Sequence, residues 1–129
     1  MEIQLRAALL DWLRGDPVLA GSLNSITEEA PVSANPPWLA IAASASAEWG
    51  GKTEAGREIR IAFELSLRGD QPATGADPVR AIQRRIETVP SAQDGMRIVT
   101  ARFLRARVER RPRNLRSVLI EYRFRVLEN

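Results

Sequence analysis

From Glu58 to Arg68 the chain alternates without interruption. Ile59, Ile61, Phe63, Leu65 and Leu67 are apolar, and Glu58, Arg60, Ala62, Glu64, Ser66 and Arg68 between them are polar or small. Successive side chains of a strand point to opposite faces, so this pattern predicts a strand with one face buried and the other wet. Near the end of the chain the pattern returns: Val118, Ile120, Tyr122, Phe124 and Val126 point one way, and Leu119, Glu121, Arg123 and Arg125 the other. One-sided strands of this kind belong to antiparallel sheets, because a parallel sheet is covered on both faces and reads as a continuous apolar run. Two hairpins follow. The first runs from a strand at Trp38–Trp49 through the break at Gly50-Gly51 into the alternating strand. The second joins Arg97–Glu109 to Leu115–Leu127 through Arg110-Arg111-Pro112-Arg113-Asn114.

Helical spacing occurs twice. Leu5, Leu9, Trp12 and Leu13 share a face, and Gly15-Asp16-Pro17 ends the pattern, which predicts a helix over about 2–14. Pro17–Gly21 reads as one short turn and Ser25–Glu29 as a brief strand. Asn35-Pro36-Pro37 closes a loop from Pro31 as a rigid connector, since proline cannot donate to a ladder. After a loop over 69–77, Asp77 can cap a helix with Pro78 at its first position, and Val79, Ile82, Ile86 and Val89 form one face before Pro90. The expected fold is α+β: an antiparallel sheet of four to five strands with two helices packed on one face. A length of 129 residues suits a single domain over 1–129, because a chain of that size buries roughly two thirds of its unfolded surface.

There is no cysteine and no histidine. Disulfides, thiolate nucleophiles, thiolate metal sites and the side chain best suited to proton transfer near neutral pH are therefore excluded. The opening residues Met1–Arg6 lack the regions of a signal peptide, so synthesis and retention in the cytoplasm is the expectation. The longest weakly polar run, Trp38–Ala47, falls far short of the roughly 20 residues that span a bilayer, and no membrane segment is expected. Charge is uneven: residues 1–64 sum to −4 and residues 65–129 to +7. Such asymmetry marks either a surface for an anionic partner or an attraction between the halves. Of 19 basic residues 18 are arginine, which suits bidentate phosphate or carboxylate recognition; an arginine-biased genome gives the same usage.

Four groups of residues are candidates for chemistry or binding. Ser46-Ala47-Glu48-Trp49-Gly50-Gly51-Lys52-Thr53 holds the second half of a phosphate-binding loop, but Ser46 replaces its first glycine and the segment leads into a strand instead of a helix; a hairpin loop fits better. Glu28, Glu29, Glu54, Glu58, Glu64 and Asp70 could pair for acid–base work or hold a hard cation, yet they lack metal-loop spacing, and alternation with apolar residues makes them a solvated face. Arg97, Arg102, Arg105, Arg107, Arg110, Arg111, Arg113, Arg116, Arg123 and Arg125 concentrate on the last hairpin, where a small basic DNA-binding module could contact phosphates. Scarce aromatics and the interrupting Glu109 and Glu121 favour a solvated or subunit-facing ribbon over a single-strand stacking platform. Trp12 and Trp38 read as core or core edge. Trp49, beside Gly50-Gly51, is either an interface anchor or an aromatic folded back over the sheet.

An ordered set of short features carries a resemblance. It comprises Leu5-Arg6-Ala7-Ala8-Leu9-Leu10 with Leu13, then Asp16-Pro17-Val18-Leu19-Ala20, and Pro37-Trp38 opening a strand. Lys52-Thr53 and Gly56-Arg57-Glu58 follow ahead of the alternating strand, and Tyr122-Arg123-Phe124-Arg125 ends the set. Together they resemble the tail-terminator, or tail-completion, family of siphophages and gene transfer agents over essentially the whole chain. The middle strand departs from that pattern in ending Leu65-Ser66-Leu67 without an aromatic, and the loop from Gly69 to Asp77 is short. The resemblance implies a non-enzymatic, cofactor-free structural subunit of a phage or gene-transfer-agent particle, made in the bacterial cytoplasm. It would form a hexameric ring at the head–tail junction that caps the tail tube protein and offers its other face to a head-side stopper or connector. DNA would pass through the channel without sequence reading. A closed ring of head-to-tail contacts satisfies every subunit interface and covers any long strand edge. The contact residues expected on this reading are Trp49, Lys52 and Arg57 in one loop and Arg110, Arg111 and Arg113 in the last turn.

Overall fold

The structure, a computed structural model, describes residues 1–69 and 76–129. In chain order the elements are α1 (Glu2–Arg14), α2 (Pro17–Ser22), β1 (Ile26–Thr27), β2 (Trp38–Glu48), β3 (Gly56–Arg68), α3 (Ala76–Glu87), β4 (Ala92–Gln93), β5 (Met96–Arg111) and β6 (Leu115–Glu128). Of the described residues 47% lie in strands and 25% in helices, so the fold is mostly β. All six strands form one sheet, in the order β1-β2-β3-β6-β5-β4, curled into a half-barrel.

This corrects the expected antiparallel sheet of four to five strands with two helices. The sheet is mixed, because β1 runs parallel to β2, pairing Ile26 with Leu39 and Thr27 with Ala40. The loop from Glu28 to Pro37 carries the chain back to the same end of the sheet, where Leu39 N–H donates to the Ser25 carbonyl and Asn24 N–H to the Pro37 carbonyl. The segment Pro17–Ser22, read as a turn, is a third helix: the Asp16 side chain accepts from Val18 N–H, and Pro17 opens the first turn. The brief strand expected at Ser25–Glu29 is present as β1, but local pattern says nothing of a neighbour's direction, and the two residues of β4 have no periodicity to read. The expected loop over 69–77 falls largely outside the described residues, as does the carboxylate Asp70.

The two long alternating segments lie side by side at the centre. β3 and β6 are antiparallel, with Ile59 opposite Phe124, Ile61 opposite Tyr122, Phe63 opposite Ile120 and Leu65 opposite Val118. These eight side chains are buried together with Leu5, Leu9 and Leu13 of α1, Leu19 of α2, and Ile82 and Ile86 of α3. One apolar sheet face and three helix faces thus share a core, at a gain of about 25 cal/mol for each Å² removed from water. Trp12 ties α1 to α3. Its indole N–H donates to the Arg85 carbonyl at 2.7 Å, the Arg85 Nε–H donates to the Trp12 carbonyl at 2.7 Å, and the guanidinium lies 3.5 Å from the ring centroid. Among the described residues no helix is long and apolar enough to cross a membrane.

Candidate functional site

Three surfaces are left once the helices have covered their share of the sheet: a charged face, two open edges, and the loops at the sheet's two ends. The charged face follows from alternation. Pairing across β3, β6 and β5 sets Glu58 opposite Arg125, Arg60 opposite Arg123, and Ala62 opposite Glu121. On β5, Arg102, Arg105 and Arg107 lie opposite Arg123, Glu121 and Leu119. This face is turned away from the helices and is net positive. Glu58 holds Arg125 at 3.2 Å and Arg123 at 3.8 Å, Glu121 binds Arg105, and Arg111 reaches Glu109 at 3.0 Å and Glu64 at 3.7 Å. The Glu121 carboxyl is held below its ordinary range, first by the hydrogen bond from Arg105. Among the described residues, the ion pairs involve none of Arg60, Arg97, Arg102, Arg110 and Arg113. Small side chains hollow the face: Ala43, Ala45 and Ala62 lie at the base of a cavity of about 490 Å³ beside Arg60, Arg105 and Glu121.

The ten arginines noted in the sequence do not form one patch. Arg110 lies opposite Arg116, which in turn lies opposite the buried Leu67, so these two share the helix-covered side. The carboxylates do not converge either. Glu58 and Glu64 are engaged by arginines, and Glu28 bonds Arg6 at 2.7 Å. Among the described residues no group of three or more potential ligands is gathered in one place.

Among the described residues both edges of the long-stranded sheet are open. β1 pairs only with Leu39 and Ala40, leaving β2 from Ile41 to Glu48 with β3 as its sole strand neighbour among the described residues. β4 pairs only with Met96 and Arg97, and beyond Ser91's bonds to Ile98 the rest of β5 has only β6 among the described residues. Four of the seven large exposed apolar side chains among the described residues lie on that second edge: Val99 at 43%, Phe103 at 40%, Leu104 at 37% and Val108 at 58%. Sequence reading found β5 but missed its exposure, since apolar residues in a strand read as core. The signal available for the other edge was the uncharged small-residue run Ala42–Ala47.

The six expected contact residues separate into two groups at opposite ends of β3, whose 13 residues extend roughly 40 Å. At one end, Trp49 is half-buried. Its N–H donates to the Gly56 carbonyl at 3.1 Å, and its ring sits 5.4 Å from the Arg125 guanidinium. The tryptophan is folded back over the sheet. Lys52 is exposed at the loop tip, and the loop joins two antiparallel strands, which is not the strand-to-helix setting of a phosphate loop. Arg57 is half-buried and reaches Glu2 at 3.4 Å. At the other end, Arg110, Arg111 and Arg113 are exposed. Arg113 and Asn114 take φ of 63° and 58° to close the β5–β6 turn, and Gly69 N–H donates to the Asn114 carbonyl at 2.7 Å.

Glu2 couples α1 to the β2–β3 hairpin. Its carboxyl is held down to about 2, first by its own backbone N–H, then by the Ser46 hydroxyl, with the terminal ammonium assisting against a small burial penalty. A carboxyl depressed in the fold contributes stability that is present above its unfolded pKa and is lost as pH falls from about 4.5 towards 2. Glu2→Gln is therefore expected to flatten the acid limb of stability between those values, and solvent screening keeps the difference within about 1 kcal/mol. Thermal melts from pH 5 to pH 2 check this; equal slopes in both proteins would show that Glu2 has no such role.

The family described as tail completion protein gp17 matches residues 7–127. No curated protein sequence matches the chain. Twenty-two solved chains match it. Among them, a chain in the virion of a native gene transfer agent particle has a TM-score of 0.85 at 23% identity, covering 96% of this chain and 95% of that one. At that identity the likeness carries the fold.

Proposed function

The chain belongs to the tail completion protein gp17 family, and we propose that it is a ring-forming structural subunit that ends the tail tube and joins it to the head-side stopper of a phage or gene-transfer-agent particle. The observation that carries this reading is the match over 7–127, which takes in the second half of α1, all of α2 and α3, and the long strands to the last residue but one of β6. The geometry agrees with the role in two respects. Two loop groups at opposite ends of a sheet roughly 40 Å long suit a subunit whose one end meets the tube and whose other end meets the stopper. Two open edges suit a subunit with a neighbour on each side. The contacts on this reading are Lys52 and Arg57, on the loop that Trp49 ties to the sheet, at one end and Arg110, Arg111 and Arg113 at the other. The role is assembly, without catalysis or a cofactor, in the particle at its head–tail junction.

Electron microscopy of particles made without the gene tests the role. Tails of uncontrolled length that fail to join heads are expected; normal tails joined to heads would refute it.

A second reading rests on the net-positive helix-free face, where arginines outside the ion pairs could contact duplex phosphates. It expects binding to duplex DNA that weakens steeply as salt rises, through counterion release. In the ring, the same face would let DNA pass without reading its sequence. Absence of binding at low salt removes DNA contact from both.

A further inference from the structure

We infer that neighbouring copies of this chain join by pairing the open edge of β2 in one subunit, Ile41–Glu48, with the open edge of β5 in the next, so that one sheet continues around the ring. The inference rests on the ring reading and specifies its contact. Three independent features of the molecule carry it.

The first is direction. β2, β3, β6 and β5 are consecutive antiparallel neighbours, so β2 and β5 run in opposite senses. A copy rotated about an axis along the strands presents its β2 antiparallel to β5 of the first, and the ladder continues with the same hydrogen-bond pattern. Rotation that closes leaves no edge, whereas a two-fold contact of like edges would leave the other edge bare.

The second is protection. From Ala42 to Ala47 the β2 edge reads Ala-Ala-Ser-Ala-Ser-Ala, with no charge and no proline, and its irregularity is the shift between Ile41 and Ala43. A bare strand edge of that composition is a template for another strand. β5 is the reverse: Arg102, Arg105 and Arg107 line one side of it, and Phe103, Leu104 and Val108 stay exposed. Arginine and aromatic side chains in the open are what a subunit contact uses.

The third is complementarity. Pairing two β5 edges would set those arginines against their own copies, which is unfavourable for residues directly opposite. Pairing β5 with β2 lays long arginine side chains over Ala43, Ala45 and Ala47.

The chain has no cysteine, so introduced thiols report without background. Ser44 lies opposite Ile61, and Ala101, Ala106 and Val108 lie opposite Phe124, Ile120 and Val118, all on the helix-covered side. Within one subunit β2 and β5 are three strand spacings apart, roughly 14 Å, too far for a disulfide. Ser44→Cys is combined in separate variants with Ala101→Cys, Ala106→Cys and Val108→Cys, and assembled particles are oxidised. A covalent ladder rising to a closed ring is expected from at least one combination and from none of the single-cysteine proteins. Ala45→Arg, at an exposed position, is expected to keep its unfolding midpoint and be lost from particles. Rings that give no ladder in any combination and accept Ala45→Arg overturn the edge pairing and leave the ring reading intact. Cross-linked dimers from Ser44→Cys alone would show that like edges meet, which also overturns it. Absence of any ring overturns both.

Discussion

Replacing Tyr122 with alanine is expected to cost about 3–5 kcal/mol, the range for deleting a fully buried ring. Tyr122 is wholly buried at the centre of β6, with Phe103 at 5.6 Å edge-on and Phe124 at 6.0 Å between ring centroids. Its hydroxyl donates to the Glu87 carboxylate of α3 at 2.5 Å and approaches the Gln83 carbonyl at 3.4 Å. Truncation leaves a cavity between sheet and helix and strips Glu87 of its donor. Since small domains have only about 5–15 kcal/mol in total, the variant sits close to unfolding. Tyr122→Phe keeps the ring and loses the hydrogen bond, for about 1 kcal/mol. Urea midpoints separate the two, and equal losses would show that the polar contact, not packing, dominates. Burial is the main cause that raises the phenol's pKa, with Glu87 adding to it. The folded state therefore keeps a proton that the unfolded chain releases near pH 10. This contribution is intact below that value and falls as pH rises above it, and Tyr122→Phe removes that alkaline decline.

Gly56→Ala is expected to be nearly as damaging although it adds one methyl. A Cβ built at Gly56 would lie 2.1 Å from the Trp49 carbonyl oxygen and 3.0 Å from the Leu127 side chain. The obstacle is backbone, and Trp49 and Gly56 are hydrogen-bonded across the hairpin, so relief requires the β2–β3 hairpin to open. Overpacking against rigid neighbours costs typically 1–3 kcal/mol and sometimes more, and about 3 kcal/mol is expected. Gly50 is constrained in a second way. Its φ of +133° is a conformation that side chains rarely adopt, and a Cβ there would lie 2.7 Å from the Glu54 carbonyl. Gly51, with open space around it, is the control that alanine leaves unchanged. A Gly56→Ala melting curve matching that of Gly51→Ala would refute the closure argument.

The central strands were legible because alternation is a local signal that burial enforces. Ile59 through Leu67 and Val118 through Val126 lie where period two puts them. α1 and α3 were legible for the corresponding reason at helical period. What stayed hidden is non-local. That β3 pairs with β6, that β1 is parallel, and that two edges are bare depend on where the chain returns, not on any window of residues. Trp49 shows the same limit: beside a glycine pair its sequence context allowed a projecting anchor, and only the position of Arg125 shows the ring folded back. The arginines of the last hairpin were visible as a cluster. Their division between the charged face and the helix-covered side, where Arg110 and Arg116 lie, follows from register.

The most direct test of the account is cryo-electron microscopy of purified particles from the source. A ring of this chain between tail tube and head connector is predicted, with the Trp49–Arg57 loops on one rim and the Arg110–Asn114 turns on the other. Particles whose head–tail junction contains no density for the chain would contradict it.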